Sequence, residues 1–484
     1  MYCATFCPYA DECSHYKNIV LTAKQPPRTM IALPNNNSYY SISEVRQDLY
    51  NKISDSISIT TPGISVIKAQ TGIGKTEAVL KLMKNSDTPV IVALPTHQLI
   101  QQVSERAKKI GIEFITTPDI KFLENIDRKL YSHINSLFTI GAETQVSEYL
   151  RTYNKMHKNP QIELYINQID NLYSYNGHIL TTHARLIYMK ESLLASRTVI
   201  IDEDIIPTIL QHNYISIEDF NSILKLFNND KKVLSFLETI QGHCNSSSEY
   251  FSASPFFGSN EYADTVWKSI RDSGIKFSSN VVRFFYASSF YYDKKNNCIC
   301  FIDMKHLYQS CRYTVLSATA DEQMYRYIFK NHSVCFTECK KVKYVGTVIL
   351  HYDSTYSRND INNSDGLYEK LHAEYPDCFF ITFKDYDPLR KQGDLYFGMT
   401  HGFDHMKGHD LVVVGTPHKP EYVYKLTAMQ LNLPYKDTLS MEVIEYNGFR
   451  FYFLTYSTPE LRRIQLWNIS TDLEQAVGRT RITA

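Results

Sequence analysis

Residues 64–83, ISVIKAQTGIGKTEAVLKLM, decide how this chain is read. ISVIKA is a β-branched apolar run of the kind that forms a buried strand, and EAVLKLM carries its apolar residues at helical spacing. Between them Gly72 and Gly74 allow the backbone to turn tightly and approach a ligand. The helix that follows directs free N–H groups and the positive end of its dipole at that turn, which favours an anion there. Lys75 adds a positive charge, and Thr76 supplies a hydroxyl where Mg²⁺ would be held. Gly72, Ile73, Gly74, Lys75, Thr76 and Glu77 therefore read as a phosphate cradle, although Ala69 stands where the usual pattern begins with glycine.

The surrounding sequence is that of a globular protein. At roughly 150 residues per domain, 484 residues suggest two to four domains. The chain is 43% hydrophobic and 21% charged, a composition that can bury a core. Lys plus Arg and Asp plus Glu are both 51, so bulk charge points to no polyanion and a local groove would have to do that work. The 36 Tyr and 25 Phe are mostly expected in the core, with some able to stack on bases. No apolar run reaches the ~18 residues of a membrane span. The N-terminus lacks a basic region followed by an apolar core, so it is not a secretion signal. A cytoplasmic setting is expected, with the ten Cys as reduced thiols or metal ligands.

A polar lead of residues 1–40 carries Cys3, Cys7, Cys13 and His15 in the spacing C-x3-C-x5-C-x-H. Four such ligands can hold zinc tetrahedrally, an iron–sulfur cluster would want another thiolate, and plain thiols are the third reading. Cys298 and Cys300, like Cys335 and Cys339, read as packing residues. From residue 41 strands and helices alternate, which implies parallel sheets with sites at strand C-terminal ends. RTVIIDEDII is an apolar strand ending in Asp202 and Glu203, the carboxylates that a metal and a hydrolytic water need beside a phosphate cradle. YTVLSATA ends a further strand at Ser317 and Thr319. GTVILHY, CFFITFK and DLVVVGTP are expected strands of a second alternation. VIEYNGFRFYFLTY reads as a hairpin turning at Asn447–Gly448. In EQAVGRTR, Arg479 and Arg481 stand with Gln475 and Gly478, and arginines on a second α/β unit suit a reach across a cleft to a γ-phosphate.

This ordered series resembles the superfamily 2 helicases of the DEAD/DEAH type. AQTGIGKT is similar to motif I, ALPTHQL to motif Ia, TTHARL to the motif before the Walker B box and IDED to motif II. LSATA, VVVGTPH and QAVGRTR are similar to motifs III, V and VI, and Arg46 and Gln47 to the upstream adenine-contacting motif. The resemblance implies an α/β fold of two RecA-like P-loop domains with parallel sheets, ATP and Mg²⁺ between them and a nucleic-acid strand crossing both. It implies Lys75, Asp202, Glu203, Gln475, Arg479 and Arg481 as catalytic, with Thr76 and Asp202 on Mg²⁺. Arg46, Gln47 and Gly478 join the cradle in nucleotide binding. Thr96, His97, Thr182, His183, Thr416, Pro417 and His418 would contact the strand, and Ser317 and Thr319 would couple hydrolysis to movement through bonds toward Asp202 or Glu203. Lys75 is expected to be accessible in the cleft.

Three departures stand out. Motif II reads DEDI, so Ile205 takes the place of Asp or His. Motif VI has its arginines one residue closer together than the common form. The pattern breaks off in mid-helix after Arg481, as in a truncated gene. Long intervals separate Thr76 from Asp202 and Glu203 from Ser317, which places mainly helical insertions at about 105–175 and 207–310. The expected domains are residues 41–325 and 345–484. The places of the insertions resemble those of the iron–sulfur DNA helicases, and the motif wording resembles the helicase regions of phage- and plasmid-type primase–helicases, the subfamily expected here. The expected activity is ATP-driven unwinding or translocation on single-stranded or duplex nucleic acid, DNA favoured, in mobile-element replication with partners such as a primase. A nucleic-acid-stimulated ATPase that remodels or senses duplexes, and an inactive scaffold in a replication complex, are the alternatives.

Overall fold

The computed structural model describes residues 30–32, 38–86, 88–246, 249–257, 261–343, 345–351, 354, 356–399 and 405–480. Cys3, Cys7, Cys13, His15 and Arg481 lie outside them.

A seven-stranded parallel sheet forms the first unit. Its order is Val334–Glu338, Gly63–Lys68, Arg312–Ser317, Thr198–Asp202, Val90–Leu94, His178–Thr182 and Phe114–Thr116. Every side chain of Val90–Leu94 and Thr198–Asp202 is buried, as expected of strands covered by helices on both faces. Helix Ile42–Ser58 starts from a capping box, in which Ser41 accepts from the Glu44 N–H and the Glu44 carboxylate accepts from the Ser41 N–H. The cradle helix Lys75–Asn85 starts from Gly74 at φ 101°, a left-handed conformation that only glycine adopts cheaply.

The two insertions fold as one body. Leu130, Ile134 and Leu150 of the first share a core with Phe220, Phe284, Phe290 and Phe301 of the second. The first is helical over Arg128–Thr139, Val146–His157 and Pro160–Ser174. The second is helical over Ile217–Leu226, Lys231–Cys244 and Glu261–Asp272, and it adds an element the expectation did not name. It carries an antiparallel sheet in the order Leu210–Ser216, Cys298–Met304, Ser289–Asp293, Tyr250–Ser252, because its β-branched and aromatic runs alternate at the period of a pleated surface.

The second α/β unit is smaller. Phe379–Thr382 lies between Leu395–Tyr396 and Leu411–Val413, all parallel. The expected strand GTVILHY does not form over the described residues 345–351. Phe379–Thr382 is already paired on both sides, and Val345, Val348, Ile349 and Leu350 stand exposed. Strands Ser440–Tyr446 and Phe449–Thr455 make the expected hairpin, with Asn447 at φ 48° and Gly448 at φ 82°, the double left-handed turn that matches strand twist. Met30–Ala32 adds an antiparallel strand to it. One apolar core runs from Val66 and Val315 of the first sheet to Leu461, Ile464 and Trp467 on helix Pro459–Val477. No helix among the described residues is long and apolar enough to cross a membrane.

Candidate active site

Three neighbouring strands of the large sheet end at one point. Gly63–Lys68 leads into the cradle, Arg312–Ser317 into Ser317-Ala-Thr319, and Thr198–Asp202 into Glu203 and Asp204. Backbone bonds lock these ends together: the Ala69 N–H donates to the Ser317 carbonyl at 2.9 Å and the Glu203 N–H to the Leu316 carbonyl at 2.8 Å.

Inside this junction Lys75 is buried, at 7% exposure, which corrects the expected accessible side chain. Its ammonium donates to the Ala69 carbonyl at 3.4 Å and lies 3.7 Å from the Glu203 carboxylate. The Thr76 hydroxyl donates to Asp202 Oδ2 at 3.4 Å. Asp202 Oδ1 is shut off from solvent and has no hydrogen-bond partner. Burial, and next the Glu203 carboxylate, push the Asp202 pKa well above the usual range, while Lys75 and Thr76 pull it back. A half-buried hydroxyl, an unsatisfied carboxylate oxygen and a raised pKa fit a hard divalent cation, which takes oxygen ligands and would remove the cost of the buried charge. Glu203 is held at φ 73°, a strained conformation for a residue with a side chain.

The second unit reaches the same point. Gln475, on helix Pro459–Val477, donates from Nε2 to Glu203 Oε2 at 3.1 Å. The Arg479 guanidinium donates to Gln475 Oε1 at 2.9 Å and to the Gln475 carbonyl at 3.1 Å. Gly478 packs so closely on the cradle that a Cβ there would lie 2.8 Å from Thr71 Oγ1. The Arg46 Nε donates to the Ile73 carbonyl at 3.1 Å, placing it over the turn, whereas Gln47 bonds Asn51 within its own helix. Glu77 pairs with Arg106 at the helix surface, and the Ile73 side chain is fully buried.

The residues expected on a nucleic-acid strand divide. Thr96 and Thr182 cap helices, accepting from the Leu99 and Arg185 N–H groups. Thr182 and His183 are buried, and His183 Nε2 bonds the Asp202 carbonyl at 2.9 Å. Their side chains are thus engaged within the protein, His183 against the acidic strand end and Thr182 at a helix start. Pro417 is buried as well. His97 and Thr416 are partly exposed, and His418 stacks on Phe453 with ring centres 5.2 Å apart. Ser317 and Thr319 also differ from expectation. Their hydroxyls lie 3.3 Å from each other, and it is the backbone of Leu316 that touches the acidic segment.

Ile205 is fully buried in the core that contains Ile464 and Trp467. The polar link comes from its neighbour: Asp204 Oδ1 accepts from the Tyr325 hydroxyl at 2.8 Å. Asp204 Oδ2 and Trp467 Nε1 are both buried without a partner, and the indole is near enough to temper a pKa that burial pushes up to about 6. Thr71, Asp204, Tyr325 and Trp467 were missed in the sequence. Only the doubled acid of DED carried a signal, because the others depend on which helix lands opposite.

Residues 55–235 match the DEAD/DEAH box helicase family model. The chain as a whole is similar to an apo XPD structure, at 13% identity and a TM-score of 0.46, covering 90% of this chain and 92% of that one. It is similar to S. tokodaii Xpd4 at 12% identity, with the same TM-score and coverage, and to a truncated XPD at 14% identity and a TM-score of 0.33, over 62% of this chain and 99% of that one. No curated protein matches it in sequence.

Proposed function

We propose that the protein is an ATP-dependent helicase or translocase of superfamily 2, with residues 41–325 and 345–484 as its two RecA-like domains. The observation that carries this is Gln475 of the second unit bonded to Glu203 of the first, at the point where cradle, acids and Arg479 meet.

The N–H groups of the cradle turn bind the β- and γ-phosphates of ATP, and Lys75 stabilises the charge that develops on the γ-phosphate. Thr76 and Asp202 would hold Mg²⁺, which would neutralise charge on the phosphate oxygens. Glu203 accepts the proton of the attacking water, and Gln475 fixes its carboxylate. Arg479, and in this reading Arg481, answer the γ-phosphate from the second unit. Loss of that phosphate removes what draws the units together, and the strand moves with their separation. His97, Thr96, Thr416 and His418 are the proposed strand contacts. DNA, a mobile-element replication setting and a primase partner are proposed on the motif wording.

The test is ATPase activity with single-stranded DNA, duplex DNA and RNA, followed by strand displacement on the substrate that stimulates. Stimulation without displacement would support a duplex-remodelling ATPase instead. No turnover with any of them would support a scaffold.

A further inference from the structure

The second insertion brings together a set of ligating side chains remote from the nucleotide chemistry. In its hairpin Asp293 pairs with Cys298 and Tyr291 with Cys300. Strand alternation puts Cys298 and Cys300 on one face, and cross-strand pairing puts Asp293 beside them. The two sulfurs are 3.8 Å apart and unbonded. One ligand atom from each of the three residues lies within 4.8 Å of the other two, and all three residues are buried.

The spacing has a chemical meaning. Two thiolates at about 2.3 Å from a tetrahedral zinc are about 3.8 Å from each other, the separation seen here. An oxygen ligand at its usual distance stands about 3.6 Å from each sulfur, so the carboxylate needs a shift of about 1 Å at most. The carboxylate is already oriented: Asn296 donates to it from its backbone N–H at 3.1 Å and from its side chain at 2.7 Å, as groups outside a metal's ligand shell do.

We propose that Asp293, Cys298 and Cys300 form a binding site for a thiophilic divalent cation of the zinc class. Water or the Tyr422 hydroxyl supplies the fourth ligand. Tyr422 belongs to helix Glu421–Gln430 of the second unit and stacks on Tyr291 at 5.2 Å with 6° between the planes. The cation therefore braces the hairpin where the insertion meets the second unit. Two Cys S–H bonds are exchanged for two metal–sulfur bonds, two protons go to buffer, and nothing is oxidised or reduced.

The test uses the full chain carrying Cys3→Ser, Cys7→Ser and Cys13→Ser, titrated with cobalt(II) alone. The expected result is one cobalt per chain, with tetrahedral visible bands, a thiolate charge-transfer band and release of two protons; zinc should displace the cobalt and abolish the bands without taking up protons. Cys298→Ser plus Cys300→Ser should abolish the bands, and Asp293→Asn should weaken binding at least tenfold while the chain stays folded by circular dichroism. If the double serine variant fails to fold, the Asp293→Asn titration decides. Absence of the bands with all three residues intact, bands that survive loss of both thiols, unchanged affinity in Asp293→Asn, or a Cys298–Cys300 disulfide in the isolated protein would each overturn the site.

Discussion

Asp202 and Lys75 are both buried, and the Lys75 charge makes an ionised Asp202 more tolerable. Lys75→Ala removes the charge that answers the γ-phosphate, and ATP turnover should fall by roughly 10²-fold or more with the melting profile retained. Near-normal turnover in a folded variant would contradict the assigned role. Asp202 gives a pH signature. Its folded-state pKa is raised by burial and by Glu203, so the folded protein holds a proton that the unfolded chain has already released. Stability from this group therefore falls as pH rises from the ordinary carboxylate value through the raised one. A cation needs the ionised form and competes with that proton. The Mg²⁺ concentration for half-maximal ATPase should rise as pH is lowered from 8 to 6, and the thermal shift given by Mg²⁺ with nucleotide should be larger at pH 8 than at pH 6. A Mg²⁺ requirement independent of pH would count against Asp202 as the ligand. These residues were legible because strand, glycine turn and helix are set by neighbours in sequence. His183 was not: its tie to the Asp202 carbonyl depends on two strands meeting in the sheet.

The elements that join the units make sharper tests than the cradle itself. Gly478 leaves no room for a side chain against Thr71. Gly478→Ala should hold the helix Pro459–Val477 off the cradle and lower kcat/KM for ATP about tenfold, an effect on the order of 1.4 kcal/mol, with partial recovery on adding Thr71→Gly. An unchanged kcat/KM would mean that this closeness is not used. Ser317 and Thr319 bond each other and carry no charge to the reaction. Removing one hydrogen bond of ~1 kcal/mol with Ser317→Ala plus Thr319→Ala should leave most stimulated ATPase while strand displacement drops further. Equal loss of both would remove that pair from coupling. Asp204 and Tyr325 supply the polar contact that Ile205 cannot, and Tyr325→Phe should alter displacement more than basal ATPase. At this scale the sequence announced the hairpin at Asn447–Gly448 through its turn residues. It misled over residues 345–351, whose apolar side chains stay exposed and pair with no strand. It was also silent on the sheet of the second insertion, whose strands are brought together across intervening helices.

Across the whole molecule the two insertions share a core, and a second core spans both α/β units. Movement between the units is therefore expected to be a small opening about this apolar contact, gated at Glu203–Gln475. Strand binding through phosphates should weaken linearly with log salt and depend little on base sequence. Because formal net charge is zero, that binding must come from local placement of charge, which composition does not reveal. The most direct test of the account is ATPase activity and strand displacement measured on one preparation, with and without Gln475→Ala. Nucleic-acid-stimulated turnover with displacement in the native chain, and loss of both in Gln475→Ala with ATP binding retained, is the predicted result. Turnover that ignores nucleic acid, or is unchanged when Gln475 is lost, would contradict a catalytic centre completed by the second unit.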